Sequence, residues 1–148
     1  HRDLHLSLRR QRQMCIRDSP EIFTRLGLRY INIFELPGNN VLDWNGFIND
    51  SLIAHLRFQH GGDLIETLQT ISVRKEEIRI VIKCGAQNPD APAPMRRRRF
   101  VLDIDCFINE DLEPEDVKDR FLELNEHAVQ IFELSIEDQL RQLMKEGG

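Results

Sequence analysis

Apolar and polar residues alternate along residues 24–34. A period of two residues is typical of a β-strand, because successive side chains point to opposite faces of a sheet. The pattern therefore predicts a strand, which ends at the turn-forming residues 37–40. Its two sides consist of Leu26, Leu28 and Tyr30, and of Arg25, Gly27, Arg29 and Ile31.

The same alternation returns in residues 64–74, 77–85 and 97–108. The first two of these stretches are close enough in sequence to form a hairpin around Lys75. The stretch 77–85 predicts a half-buried strand, because Ile78, Ile80, Ile82 and Cys84 alternate with Arg79, Val81 and Lys83. The last stretch predicts the fourth strand. Its core side consists of Phe100, Leu102, Ile104, Cys106 and Ile108, and its opposite side of Val101, Asp103, Asp105 and Phe107.

Helical spacing follows towards the C-terminus. Residues 113–116 (EPED) predict the start of a helix, since proline suits its first turn and acidic residues suit the positive end of its dipole. Residues 135–138 (SIED) resemble a capping box that begins a second helix, and residues 44–57 predict two short helices or turns. The apolar stripe of the long helix consists of Val117, Phe121, Leu124, Ala128 and Ile131, widened by Leu122, Val129 and Phe132.

The order of these elements predicts the fold class. Consecutive strands followed by terminal helices are typical of an α+β protein, whereas alternating strands and helices would indicate a parallel sheet. We predict an antiparallel sheet of about four strands, with a short helical insertion after the first strand and two C-terminal helices packed on one face. Residues 20–148 then form a single domain, a size that is ordinary for one.

Composition and charge exclude several classes of protein. With 41% hydrophobic residues the chain is too apolar for disorder, and it has no uncharged run long enough for a membrane helix. Residues 109–148 contain 12 acidic and 4 basic residues, and this acidity disfavours nonspecific binding to nucleic acid or an anionic membrane. Cys84 and Cys106 lack metal-ligand spacing and suggest a reducing cytoplasm, and we predict no metal and no cofactor.

Residues 9–19 (RRQRQMCIRDS) resemble the translation of a transposon-based sequencing adapter. Residues 1–5 (HRDLH) match the flow-cell sequence that precedes a sample index, and the three residues between them fit the length of such an index. We therefore expect residues 1–19 to be an adapter-derived, disordered tail, which is left out of the fold. On this interpretation the chain is a fragment, and the kinase-like HRDL at residues 1–4 is a chance feature.

Three segments carry a resemblance to known proteins: residues 23–32 (FTRLGLRYIN), 101–105 (VLDID) and 131–140 (IFELSIEDQL). They resemble the C-terminal half of a sporadically distributed prokaryotic family of uncharacterised proteins. The resemblance covers residues 20–148 and implies that an N-terminal half is missing. It also implies that the sheet has an exposed edge or face. The family has no established activity, so no reaction is implied.

Asp103 and Asp105 lie two residues apart on the last predicted strand, so their side chains share a face. Paired carboxylates can bind a divalent metal ion or act as acid and base. In the competing interpretation they form ion pairs across the sheet with Arg25, Arg29 or Arg79. No histidine or further acidic residue lies nearby in sequence, and this favours the ion pairs.

Four consecutive arginines, residues 96–99, form the most conspicuous charge run. Arg97 and Arg99 could contact the phosphates of RNA or of a nucleotide. No aromatic residue interleaves with the run, which favours a solvated start of the strand instead. Elsewhere, the scattered histidines form no zinc motif, and Cys84 and Cys106 fall on core faces of their strands.

These features predict a non-catalytic cytoplasmic protein-interaction module, whose partner is another protein or a second copy of the chain. The alternative is a protein that binds or processes nucleic acid or nucleotides through residues 96–99 and the two aspartates. The sequence contains no catalytic constellation, and this favours the first prediction. The candidate binding residues are Arg25, Arg29, Arg97, Arg99, Asp103 and Asp105.

Overall fold

The computed structural model describes residues 3–14, 22–36, 44–58, 64–93, 95 and 98–147, with the backbone alone for residues 3–14, 36 and 98. The strands are β1 (Asp3–Met14), β2 (Phe23–Leu36), β3 (Gln69–Lys75), β4 (Ile78–Ala86) and β5 (Arg98–Ile108). The helices are α1 (Asp50–Ile53), which continues as a 3-10 turn (Ala54–Arg57), α2 (Pro114–Ser135) and α3 (Asp138–Gly147).

The described strands form one antiparallel sheet in the order β1-β2-β5-β4-β3. The four predicted strands, the short helical insertion and the two C-terminal helices are all present, which confirms the α+β fold. β5 lies in the middle of the sheet, between β2 and β4. A central strand is covered by neighbours on both edges, and this position suits a strand with an apolar core side.

β1 corrects the prediction that residues 1–19 form a disordered tail. Asp3–Met14 pairs with β2 over its whole length. Leucines at positions 4, 6 and 8 alternate with polar residues, which is a strand pattern. An edge strand presents unpaired backbone N–H and C=O groups, so β2 can bind an extended segment whatever the origin of its sequence. Residues 1, 2 and 15–19 lie outside the described residues.

The core lies between the sheet and the helices. Trp44 is fully buried and packs on Phe100 with ring centroids 5.3 Å apart, and Phe34 of β2 contacts Phe132 of α2 at 6.4 Å. The insertion contributes Leu52, Ile53 and Leu56. The strands contribute Leu26, Leu28 and Phe34 from β2, Ile78, Ile80 and Ile82 from β4, and Phe100, Leu102, Ile104 and Ile108 from β5.

α2 buries a narrower stripe than its sequence pattern predicts. Leu124 and Ala128 are fully buried, whereas Leu122 and Val129 are 53% and 45% exposed. A helix contacts a sheet along one line, so the outermost positions of a wide stripe overhang the contact. The predicted capping box is also wrong, because Ser135 belongs to the last turn of α2, where its Oγ donates to the Ile131 carbonyl oxygen at 2.6 Å.

The strand predicted at residues 64–74 begins five residues later, at Gln69. The preceding segment lies beside the end of β4, where the Thr67 N–H donates to the Ala86 carbonyl oxygen at 3.1 Å. A Cβ atom on Gly85 would lie 2.0 Å from the Thr67 carbonyl oxygen. The close approach of these two backbones therefore requires glycine at this position.

Candidate functional site

The sheet face that points away from the helices carries most of the predicted site residues. α2 packs against β2 and β5 on the other face, and alternate residues of these strands point away from it. On the outer face, Arg29 stands in register opposite Asp105, and Asp103 opposite Lys83. The structure thus brings together four of the six predicted residues. We call this set the polar cluster: Arg25, Arg29, Asp103 and Asp105.

Arg29 and Asp103 form a two-pronged ion pair. Arg29 Nε donates to Asp103 Oδ1 at 2.9 Å, and Arg29 Nη2 donates to Asp103 Oδ2 at 2.6 Å. The two side chains are 28% and 11% exposed. The hydrogen bond to Asp103 is the main cause that raises the pKa of Arg29. Both carboxylate oxygens of Asp103 are therefore engaged, as the ion-pair interpretation predicts.

Asp105 has a different environment. Burial raises the pKa of its carboxyl group, while the positive charges of Arg25 and Arg29 oppose that increase. Its Oδ1 atom is buried and has no hydrogen-bond partner among the described residues. The raised pKa favours the protonated form of this carboxyl group relative to an ordinary aspartate. A metal site needs more ligands, and nowhere in the described ranges do three His, Cys, Asp or Glu residues converge to hold an ion.

Phe107 adds an aromatic ring to the same face. The Arg25 guanidinium carbon lies 4.6 Å from the centre of this ring, and that of Arg79 lies 5.9 Å from it. These distances are typical of cation–π contacts. The sequence placed Phe107 on the correct side of its strand, but the contact depends on neighbours from β2 and β4, which only the sheet register brings next to it.

The arginine run contributes one described side chain. Residues 96 and 97 lie outside the described residues, and so does the side chain of Arg98. Arg99 is half-buried on the outer face, in register opposite Glu35. It is four residues from Asp103, which is about 13 Å along a strand. Arg99 therefore lies on the same face of the sheet as the polar cluster, but near the start of β5, whereas Asp105 lies near its end.

A groove between β2 and the two C-terminal helices was not predicted. It encloses a cavity of about 170 Å³ with almost entirely apolar walls. The polar wall groups have partners: the Tyr30 hydroxyl donates to Asn125 Oδ1, and Asn32 Nδ2 donates to the Leu102 carbonyl oxygen at 3.2 Å. We call this feature the β2 groove. It is lined by Tyr30, Asn32, Phe34, Ala128, Val129, Phe132 and Met144.

The sequence did contain one signal for this groove. The apolar stripe of α2 is wider than a helix needs for packing on a sheet, and Val129 lies at its margin. The stripe alone indicates core positions, because its pattern does not show where the underlying sheet ends.

Three further residues with reactive side chains, His55, Cys84 and Cys106, are partly or fully buried. His55 Nε2 lies 3.0 Å from Thr67 Oγ1, and burial lowers the pKa of the imidazole. Cys84 and Cys106 are fully buried, which raises the pKa of their thiols to about 11 and about 12. A thiol attacks as its thiolate, so neither cysteine is activated at neutral pH. This agrees with the prediction that both occupy core positions.

The fold and the site define an α+β protein with helices on one face of an antiparallel sheet and a polar cluster on the other. Comparisons of the chain with protein-family models, curated proteins and solved structures find no match. The family resemblance therefore stays a prediction. Within the described ranges, every helix is too short or too polar to serve as a membrane span.

Proposed function

We propose that this chain is a non-catalytic protein-interaction module that works in the cytoplasm. The observation that carries the proposal is the β2 groove, which is apolar and open at Val129, a side chain that is 45% exposed. Leu122 lies seven residues earlier, on the same side of α2, and is 53% exposed. Exposed apolar side chains beside an apolar cavity are typical of a surface that binds another protein. The buried free thiols Cys84 and Cys106 support a reducing compartment.

The polar cluster supports the non-catalytic part of the proposal. Arg29 engages both oxygens of Asp103, which leaves Asp105 as the carboxylate with an unengaged oxygen. General acid–base catalysis by a pair of groups needs a second group that exchanges protons near the working pH. The basic residues that act on the pKa of Asp105 are Arg25, Arg29 and Lys83, and each of them opposes the increase that burial causes.

A second candidate function is the binding of nucleic acid or nucleotides on the outer face of the sheet. The observation that favours it is the ring of Phe107 between Arg25 and Arg79. An aromatic ring can stack on a base while neighbouring arginines contact phosphates. Arg99 extends the positive charge along the same face, whereas the acidic α2 and α3 lie on the opposite one.

A two-hybrid screen with the full chain tests the first function, and analytical ultracentrifugation covers self-association. Val129→Lys places a charge at the mouth of the β2 groove. Leu134→Lys is the matched control, because Leu134 is a 67% exposed leucine on another side of α2. We expect a protein partner or a dimer whose binding is lost with Val129→Lys and retained with Leu134→Lys. A partner that binds both substituted chains as well as the unaltered chain would contradict the proposal.

Fluorescence anisotropy with labelled RNA and DNA tests the second function. Our proposal predicts no binding that depends on the arginine run. Binding that weakens steeply with salt, and is abolished when Arg97 and Arg99 are replaced by alanine, would favour the second function. Turnover of a nucleotide or nucleic acid that requires Asp105 would contradict the non-catalytic proposal directly.

We also propose that residues 1–19 are encoded by adapter DNA. Amplification and sequencing of the gene from chromosomal DNA tests this. A chromosomal copy in which the codons for residues 1–19 continue unbroken into those for residues 20–40 would contradict it.

A further inference from the structure

The edge of β2 that pairs with β1 belongs to the same strand that lines the β2 groove. β2 pairs with β5 on one edge and with β1 on the other. Without β1, the N–H and C=O groups of the second edge would be unpaired. Tyr30, Asn32 and Phe34 of the same strand line the groove on the helix side. A strand that binds the β2 edge therefore lies directly beside an apolar cavity.

The backbone register of the segment paired with this edge shows which of its positions stand opposite the groove residues. Its leucines at positions 4, 6 and 8 stand in register opposite Phe34, Asn32 and Tyr30. These are the three β2 residues that line the groove. The positions between the leucines hold His5 and Ser7, which are polar. An aliphatic residue at every second position thus matches the spacing of the groove residues along β2.

The size and chemistry of the groove fit aliphatic side chains. Its volume of about 170 Å³ is close to the ~150 Å³ of an apolar cavity that holds benzene. Ala128, Val129, Phe132 and Met144 form the helix side of its wall. The Tyr30 hydroxyl is already bound to Asn125. A charged side chain would therefore lose its hydration there and gain little in exchange.

We propose that the β2 edge and the β2 groove bind an extended segment of a partner protein, antiparallel to β2, with aliphatic residues at alternate positions. This inference rests on the proposed interaction function and defines the chemistry of the partner. Backbone hydrogen bonds to β2 provide affinity, and the groove selects the side chains. Asp3–Met14 pairs with the β2 edge within the same chain, where its high effective concentration makes it a competitor that weakens the binding of a partner.

The test uses the full chain with Leu6→Pro and Ser7→Pro. Proline cannot donate to a strand ladder, and two consecutive positions ensure that a donor facing β2 is removed. The probe is a labelled peptide with the sequence of residues 3–14, DLHLSLRRQRQM. The control peptide has serine in place of its three leucines. We expect fluorescence anisotropy to show binding of the probe to this released chain about tenfold tighter than of the control peptide, and about tenfold tighter than to the unaltered chain.

Substitutions in α2 locate the binding in the groove. In the released chain, Val129→Lys weakens probe binding about tenfold, and Leu134→Lys changes it less than about twofold. Equal binding of the two peptides overturns the proposal, as does the absence of binding to a released chain whose buried Trp44 keeps its native fluorescence. Equal effects of the two lysine substitutions also overturn it.

A second measurement applies if the released chain does not fold. In the otherwise unaltered chain, Val129→Lys should accelerate hydrogen exchange of the β2 amides that face β1 about threefold or more relative to Leu134→Lys, because it loosens the seated strand. Equal exchange rates overturn the proposal. The two functions can fail separately: a partner that depends on Val129 in the two-hybrid screen, combined with negative peptide results, leaves an interaction module that does not bind strands.

Discussion

The substitution Asp103→Asn measures how much the ion pair with Arg29 stabilises the fold. Asparagine keeps the shape of the side chain but removes its charge, and its Nδ2 cannot accept a hydrogen bond. The Arg29 guanidinium therefore loses one of its two hydrogen bonds, at 2.6 and 2.9 Å, and makes the other to a neutral acceptor. Arg29 then stays half-buried on the sheet with a weaker partner. The polar cluster therefore predicts a loss of stability that an exposed ion pair would not show.

The exposure of the two side chains sets the expected magnitude. Exposed ion pairs contribute about 0–1 kcal/mol, and breaking a fully buried pair costs about 3–5 kcal/mol. Asp103 is 11% exposed at its side chain, but Arg29 is 28% exposed and can recover part of its hydration. We therefore expect Asp103→Asn to lower the free energy of unfolding by about 2 kcal/mol, and a double-mutant cycle with Arg29→Met to give a coupling of about 1–2 kcal/mol.

Urea unfolding followed by the fluorescence of Trp44 provides the assay, because this single tryptophan is fully buried. Lys83→Gln is the control: Lys83 is exposed and stands in register opposite Asp103, so its loss should cost less than about 0.5 kcal/mol. A cost for Asp103→Asn below about 0.5 kcal/mol, or a coupling near zero, would refute a structural role for the pair.

Three further predictions use the same assay. Gly85→Ala lowers the free energy of unfolding by about 1–3 kcal/mol, because the added Cβ would lie 2.0 Å from a backbone oxygen; an unchanged stability would contradict the close approach. Asp105→Asn raises the free energy of unfolding at neutral pH, since a raised native pKa means that stability is lost as the pH rises through that pKa; a decrease would contradict it. Burial raises the thiol pKa values of Cys84 and Cys106 to about 11 and about 12. The third cysteine is replaced, as Cys15→Ser, so that these two are the thiols that titrate. Stability should therefore hold below about pH 8.5 and fall above it by up to about 1.4 kcal/mol per pH unit for each thiol, and a chain with alanine at both positions should lose this slope.

Period-two alternation was sufficient to predict β2, β4 and β5 and the face of each of their residues. β5 illustrates this, because the predicted core side, Phe100 to Ile108, is the buried side in the structure. The polar cluster was predicted for the same reason, since residues two apart share a face. The choice of partner was not predictable. Arg29 stands directly opposite Asp105 but binds Asp103, its diagonal neighbour, and this depends on a register between strands far apart in sequence.

The β2 groove could not be predicted, because it depends on where the sheet ends beneath α2. The spacing of Val129 and Leu122 placed them in the apolar stripe, but helical periodicity contains no information about the width of the opposing layer. The pairing of Asp3–Met14 was missed for another reason. Backbone hydrogen bonds form whatever the origin of a sequence, so an adapter-derived segment can pair with β2 as a natural one would.

The two edges of the sheet formed by β2, β5, β4 and β3 differ in how well they resist a further strand. β3 is short and mostly exposed, and it ends with Arg74 and Lys75 before a turn in which Glu76 has a positive φ of 57°. Short, charged edges of this kind discourage pairing with other chains. β2 is twice as long, at 14 residues against 7, and has an apolar cavity along its helix side. A long edge beside an apolar surface invites pairing unless it is covered. β3 is thus protected by its short length and its terminal charges, whereas the long β2 edge depends on a strand that covers it, and this supports the proposed binding site at β2.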